Sequence, residues 1–290
     1  MTVISYNLFG SIDPALRDIL ALVHREASAR GILFFVIGAT ARDILLTHCH
    51  AIKGYRLTRD LDIGIKVADW SEFQKLSEAL IATGSFTADR EPNRLMYGGF
   101  PVDIVPYGGI SPDNRTISWP PDHQVVMSIM GFQEAYDYSL MVRLSDVPLI
   151  DVRLPTIPGM VLMKLISWHE RYPERPKDAE DLLFMMEHYV ESGNQDRLYG
   201  EEIELLQAED FDQTLAGIRL LGRDLAFMAA GATAEVVSNI LATESDEQGN
   251  LRLIRQMVHS TRIHDRADEL IGKIRKLQHG FNEQLDGMNA

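Results

Sequence analysis

Residues 33–67 read LFFVIGATARDILLTHCHAIKGYRLTRDLDIGIKV, and this stretch decides the fold. Leu33–Ile37 is a fully apolar run, the pattern of a buried strand. Gly38 breaks it, and Ala39–Leu46 continues at helical spacing. Residues 47–58 are polar, include Gly54, and read as a loop. Leu61–Val67 then alternates as a strand. Side chains alternate along a strand, so Asp60 and Asp62 share one face while Leu61, Ile63 and Ile65 share the other. The apolar set anchors the strand, and the backbone holds the two carboxylates side by side.

Upstream, residues 12–30 predict a helix, with Pro14 in its first turn, Leu16, Ile19, Leu20 and Val23 at helical spacing, and Gly31 as its stop. Downstream, Trp70–Thr83 is helical, and Arg94–Tyr97 and Val102–Val105 read as strands around a Gly98-Gly99 turn. Residues 106–138 are rich in Gly, Pro, Ser and Asp and carry no clear period. Strands return at 139–144 and 147–153, joined at Ser145-Asp146. From Pro155 the character changes, with helical patterns at 158–171, 176–191, 201–208, 211–229, 232–243, 250–260 and 263–280. The expected organisation is therefore a mixed α/β (α+β) domain over 1–154, a small mixed sheet with helices packed on it, and a helical domain over 155–290. The regular β-α-β alternation of a dinucleotide fold is absent.

The 290 residues are 46% hydrophobic, enough for a sizeable core. A single cysteine, Cys49, excludes an intrachain disulfide framework. No run approaches the ~20 apolar residues of a membrane span, and the N-terminus lacks a signal-peptide layout, so the expectation is a cytoplasmic protein with no membrane partner. The net charge of -14 gives little non-specific attraction to phosphates. It counts against a general nucleic-acid binder and mildly favours a neutral or cationic acceptor. It leaves room for a local basic cleft, or for an enzyme whose metal ions bring the positive charge.

Two like charges at Asp60 and Asp62 repel, and Asp is a poor strand former. A divalent ion removes the conflict, since magnesium prefers hard oxygen ligands. Asp103 is the only charge in the apolar strand Pro-Val-Asp-Ile-Val-Pro and needs a partner. Three carboxylates on neighbouring strands suit a two-metal site; Asp-x-Asp on a solvated edge strand, with Asp103 paired to an arginine such as Arg94, is the plainer alternative. At Gly38-Ala39-Thr40, helix N-terminal N–H groups and the Thr40 hydroxyl can meet an anion, with Arg42 in reach, or glycine simply ends a strand and Thr40 caps a helix. Neither G-x-x-x-x-G-K-[ST] nor G-x-G-x-x-G occurs. His48-Cys49-His50 lacks a second ligand cluster and reads as loop chemistry. His169 and His188 read as packing or surface residues.

IGATARDILL followed by TRDLDIGI resembles the polymerase-β-type nucleotidyltransferase superfamily: a glycine turn at a strand-to-helix junction, then two acids on the next strand, then a further acid on a later one. The segment is also similar to the head of the CCA-adding enzymes and poly(A) polymerases. The spacing Arg56-x-Thr58-x-Asp60-x-Asp62 is nearer still to the AbiEii-type nucleotidyltransferases of abortive-infection and type IV toxin–antitoxin systems. In that family a lysine follows on a later helix, here Lys164, and then Lys-Asp-x-x-Asp, here Lys177, Asp178 and Asp181. The resemblance covers about residues 30–190. Ala39 departs from the family's usual Gly or Ser and leaves Thr40 to supply the hydroxyl.

The resemblance implies a nucleotidyltransferase core over 1–154 and a helical domain over 155–290 completing the active-site cleft. It implies transfer of an NMP from an NTP to an acceptor hydroxyl, with release of pyrophosphate. Asp60, Asp62 and Asp103 would hold two Mg²⁺ ions, or Mn²⁺. Those acids and Lys164 would be catalytic. Gly38, Ala39, Thr40, Arg42, Lys164, Lys177 and Asp178 would bind the nucleotide. The implied partners are the NTP, an acceptor that is tRNA, other RNA, a small molecule of the aminoglycoside type or a protein, and a cognate antitoxin protein. A degenerate nucleotidyltransferase fold serving as a binding or regulatory module is the alternative of another class. Lys164, Asp178 and Asp181 also have ordinary readings: a lysine stem laid on apolar neighbours, and carboxylates favoured in a first helical turn.

Overall fold

The computed structural model describes residues 4–54, 58, 60–258 and 263–289. The chain divides into two compact units, Met1–Thr156 and Ile157–Ala290.

In the first unit the strands are β1 (Tyr6–Asn7), β2 (Leu33–Ile37), β3 (Leu61–Lys66), β4 (Phe86–Ala88), β5 (Arg94–Tyr97), β6 (Phe100–Tyr107), β7 (Thr116–Ser118), β8 (Val126–Ser128), β9 (Leu140–Asp146) and β10 (Leu149–Leu154). Its helices are α1 (Pro14–Ser28), α2 (Gly38–Asp43), α3 (Trp70–Ala82) and α4 (Phe132–Asp137). Five strands form one sheet in the order β2-β3-β6-β5-β4. Only the β3–β6 pair is parallel, so the sheet is mixed. A three-stranded sheet β1-β9-β10 and the two-stranded β7-β8 complete the set among the described residues.

Local chemistry sets the element ends. Asp13 caps α1, its Oδ1 accepting from the Ala15 and Leu16 N–H groups at 2.8 and 3.2 Å, and Pro14 follows at a position that needs no donor. Asp69 caps α3 through the Glu72 N–H at 2.9 Å. In β3, Leu61, Ile63 and Ile65 are fully buried while Asp62 is half-buried, as alternation demands. Phe35 of β2 sits edge-on to Tyr107, Phe132 and Tyr136 at ring separations of 5.6, 6.1 and 5.7 Å, the aromatic centre of this core.

Three local expectations are corrected. The helix after Gly38 runs on through π-helical turns over Ile44–Cys49, because Ile44, Leu45 and Leu46 are all buried and hold the chain against the core. The β9–β10 hairpin turns at Val147-Pro148, two residues beyond Ser145-Asp146, since Asp146 still pairs with Leu149. The unassigned span 106–138 contains the end of β6, the short β7–β8 ribbon and α4.

The second unit is helical: α5 (Ile157–Glu170), α6 (Pro176–Glu187), α7 (Gln195–Tyr199), α8 (Ile203–Ala208), α9 (Gln213–Met228), α10 (Gly231–Glu244), α11 (Arg252–Met257) and α12 (Ile263–Asn289). Helices α9 and α12 cross with backbones touching: a Cβ on Gly222 would overlap the Leu277 carbonyl, and one on Gly280 the Arg219 carbonyl. No helix of the described residues is long and apolar enough to cross a membrane.

Candidate active site

One register row crosses the main sheet. Ile37 of β2 pairs with Asp62 of β3, Asp62 with Asp103 of β6, and Asp103 with Arg94 of β5. Residues in register point to the same face, so Asp62, Asp103 and Arg94 stand in line. Gly38 follows Ile37 at the end of that row. Its φ is +68°, and a Cβ there would overlap the Asp62 carboxylate. Only glycine accommodates both the turn and the acid beside it.

Asp60 lies one residue before β3 begins, and α2 fixes its backbone: the Thr40 hydroxyl donates to the Asp60 carbonyl at 2.7 Å. That bond ties the glycine turn to the acid pair, and it commits the Thr40 proton to the protein rather than to a phosphate. Arg42, expected to reach the same anion, is buried. Its side chain is 0% exposed, with Nε and Nη2 donating to Asp43 Oδ1 at 2.9 and 2.5 Å. Asp43 Oδ2 accepts from the Thr58 hydroxyl at 2.7 Å, so Arg42 and Asp43 brace the loop that leads to Asp60. Arg56 lies outside the described residues.

Asp103 has the partner its burial requires. Arg94 Nε donates to Oδ1 and Nη2 to Oδ2, both at 2.7 Å. This is the bidentate geometry of a strong charge-assisted pair. The hydrogen bond to Asp103 raises the Arg94 pKa further above its ordinary value against the effect of burial, and Asp89 and Asp60 add to the rise.

The carboxylates of Asp60 and Asp62 have the hard oxygen donors that a divalent cation takes. Asp103 does not fit that role as it stands, because both its oxygens are already hydrogen-bonded to a guanidinium. Among the described residues, no group of three His, Cys, Asp or Glu side chains is placed to hold a metal ion. Of the expected metal residues Asp60, Asp62 and Asp103, the row brings Asp62 and Asp103 together, and Arg94 is the cation that pairs with Asp103.

The helical unit gives the later motif a different meaning. Lys164 of α5 donates to Asp178 Oδ1 at 2.9 Å and pairs with Asp181 Oδ2 at 2.7 Å, both on α6. Asp181 is 0% exposed, and Ser167 Oγ donates to Asp178 Oδ2 at 3.3 Å. Burial lowers the Lys164 pKa, the two carboxylates raise it by more, and the net direction is up. Lys164 and Asp178, both expected to meet the nucleotide, pair with each other in this structure. Lys177 is exposed in the first turn of α6.

The Tyr6 hydroxyl and His50 Nε2 lie 3.1 Å apart, and burial pushes the Cys49 thiol up to about 12. Arg94 is the counter-ion of Asp103 that the sequence offers as the plainer alternative, whereas the Asp43 contact with Thr58 has no sequence signal beyond its place next to Arg42.

The family model described as "Nucleotidyl transferase AbiEii toxin, Type IV TA system" matches residues 20–270. The chain belongs to the AbiEii nucleotidyltransferase family. The matched span of this AbiEii chain includes the Gly38 turn, the acid row and the Lys164 cluster. No curated protein matches its sequence. Solved structures similar to it include an antigenic nucleotidyltransferase-like protein from Paracoccidioides brasiliensis, at 17% identity and a TM-score of 0.40, covering 59% of this chain and 75% of that one. ANT(2")-Ia in complex with adenylyl-2"-tobramycin is similar at 14% identity and TM-score 0.37, over 66% of this chain and 94% of that one. A CCA-adding enzyme with ATP is similar at 13% and 0.34, over 93% and 80%. These likenesses are too distant to carry anything about substrate.

Proposed function

We propose that this AbiEii-family chain transfers an NMP from an NTP to an acceptor hydroxyl. The observation that supports it most is the Gly38 turn set against Asp62 in the row that continues to Asp103. The backbone N–H groups of Gly38 and Ala39 would face the triphosphate, with no side chain in the way. Asp60 and Asp62 would hold a divalent cation, Mg²⁺ or Mn²⁺. When bound, that ion neutralises the triphosphate and the departing pyrophosphate. Asp103 would take the proton of the acceptor hydroxyl on a carboxylate oxygen. The acceptor oxygen bonds to the α-phosphorus, the α–β anhydride bond breaks, and pyrophosphate leaves with its electron pair.

We place RNA first among acceptors on the strength of the toxin family. The helical unit speaks for a cationic small molecule as the second reading: residues 157–290 carry 24 Asp+Glu against 14 Lys+Arg. The Arg94–Asp103 pair speaks for a non-catalytic module as a third.

The deciding experiment incubates the purified chain with each of four α-³²P-labelled NTPs, Mg²⁺, and total tRNA or a panel of aminoglycosides. Label on RNA that Asp62→Asn abolishes supports the first reading. Label on a small molecule supports the second. No label and no pyrophosphate with any pair overturns transfer.

A further inference from the structure

The spacing Thr58-x-Asp60-x-Asp62 sets a hydroxyl two residues before the first acid, and the transfer step leaves that hydroxyl without a task. Asp62 is placed by the sheet itself, in register with Ile37 of β2 on one side and Asp103 of β6 on the other. Asp60 precedes β3 and belongs to neither ladder. Its place depends on contacts from outside the sheet.

Helix α2 supplies two. The Thr40 hydroxyl donates to the Asp60 carbonyl at 2.7 Å, and the Thr58 hydroxyl donates to Asp43 Oδ2, also at 2.7 Å. Positions 40 and 43 are three apart and lie on one side of the helix. They grip the chain at the residue that carries the acid and two residues ahead of it. Asp43 is itself aimed. Its other oxygen accepts from Nε and Nη2 of Arg42, whose side chain is 0% exposed. A buried guanidinium on Oδ1 orients the carboxylate and holds Oδ2 toward Thr58.

We infer that Thr58 and Asp43 are positioning residues for Asp60: their hydrogen bond, aimed by Arg42, fixes the segment on which the acid stands, while Thr40 fixes its backbone. This rests on the transferase reading above, which gives Asp60 its task. A misplacement of about 1 Å among reacting groups can cost about a hundredfold in rate, so loss of the bond falls on kcat.

The test compares the full chain with Thr58→Val, Thr58→Ser and Asp43→Asn, using the NTP and acceptor that the labelling screen identifies, with folding of each checked by urea unfolding. Thr58→Val removes the donor at nearly constant volume and is expected to lower kcat about tenfold or more, with the NTP KM within about threefold. Thr58→Ser keeps the hydroxyl and should stay within about threefold of wild type in both. Asp43→Asn should fall with Thr58→Val, and the double variant should be no worse than the poorer single one, because both break the same bond. Hydrogen exchange of a peptide spanning residues 58–62 should quicken in Thr58→Val and not in Thr58→Ser, a readout independent of turnover. Thr58→Ala serves the same purpose if the valine variant does not fold. A threonine that only closed the loop would lower the unfolding midpoint and leave kcat of the folded protein unchanged. That result, or unchanged exchange in Thr58→Val, overturns the inference while wild type still transfers label. If wild type transfers no label, the transferase reading fails and takes this inference with it.

Discussion

Gly38 shows how much one missing methyl group can decide. Its φ of +68° costs an L-residue about 1–2 kcal/mol, and the Asp62 carboxylate occupies the space a Cβ would need. Gly38→Ala is expected to lower stability by about 1–3 kcal/mol, measured by urea unfolding, and to cut transfer at least tenfold by pushing Asp62 out of the row. A variant with native stability and native transfer would separate the turn from the site. Cys49 makes a contrasting residue-scale case. Its thiol, pushed up to about 12 by burial, holds very little thiolate at pH 8. Labelling by a disulfide reagent at pH 8 should run about a thousandfold slower in the native chain than in urea. Fast native labelling would show the thiol to be open and reactive.

At the scale of elements, α5 and α6 are joined by a buried triad that the Lys-Asp-x-x-Asp motif builds for itself. Lys164 lies between Asp178 and Asp181, and removing it takes away the lysine charge that these two buried carboxylates share. Lys164→Met should cost about 3–5 kcal/mol in chemical denaturation. The pH sign follows from the raised Lys164 pKa. The stabilisation is complete below the unfolded lysine value, about 10.4, and is lost as pH rises through the higher folded value. Wild type should therefore lose stability above about pH 10 more steeply than Lys164→Met does. The sequence placed each of these three residues on its helix but not in contact. Positions 164, 178 and 181 meet only after the chain folds back between α5 and α6, and that contact is tertiary. The same limit applies to Arg42, whose burial against its own neighbour Asp43 no periodicity reports. By contrast β2, β3, α3 and the β5–β6 hairpin were legible, because each has an unbroken period and a glycine or capping residue at its end. The three-residue strands β4, β7 and β8 were missed, since three residues cannot establish an alternation.

For the whole molecule, charge decides how an acceptor is met. The chain carries -14, and most of that excess lies in residues 157–290. An RNA acceptor would approach a surface that repels its phosphates, so affinity would depend on a few local contacts rather than on a basic field. For single strands the logarithm of affinity falls by about 0.7 per phosphate contact for each tenfold rise in salt. With one or two such contacts, affinity for RNA should change less than about tenfold between 50 and 200 mM salt. Filter binding or fluorescence anisotropy with a labelled tRNA at four salt concentrations measures the slope. A change of a thousandfold over that range would require about seven or more phosphate contacts and would place a basic face on an acidic protein. A shallow slope together with label transfer to RNA would mean that recognition rests on the acceptor's end and its hydroxyl. A shallow slope without such transfer would shift the weight to a cationic acceptor, for which the acid-rich residues 157–290 provide attraction without a phosphate-binding surface.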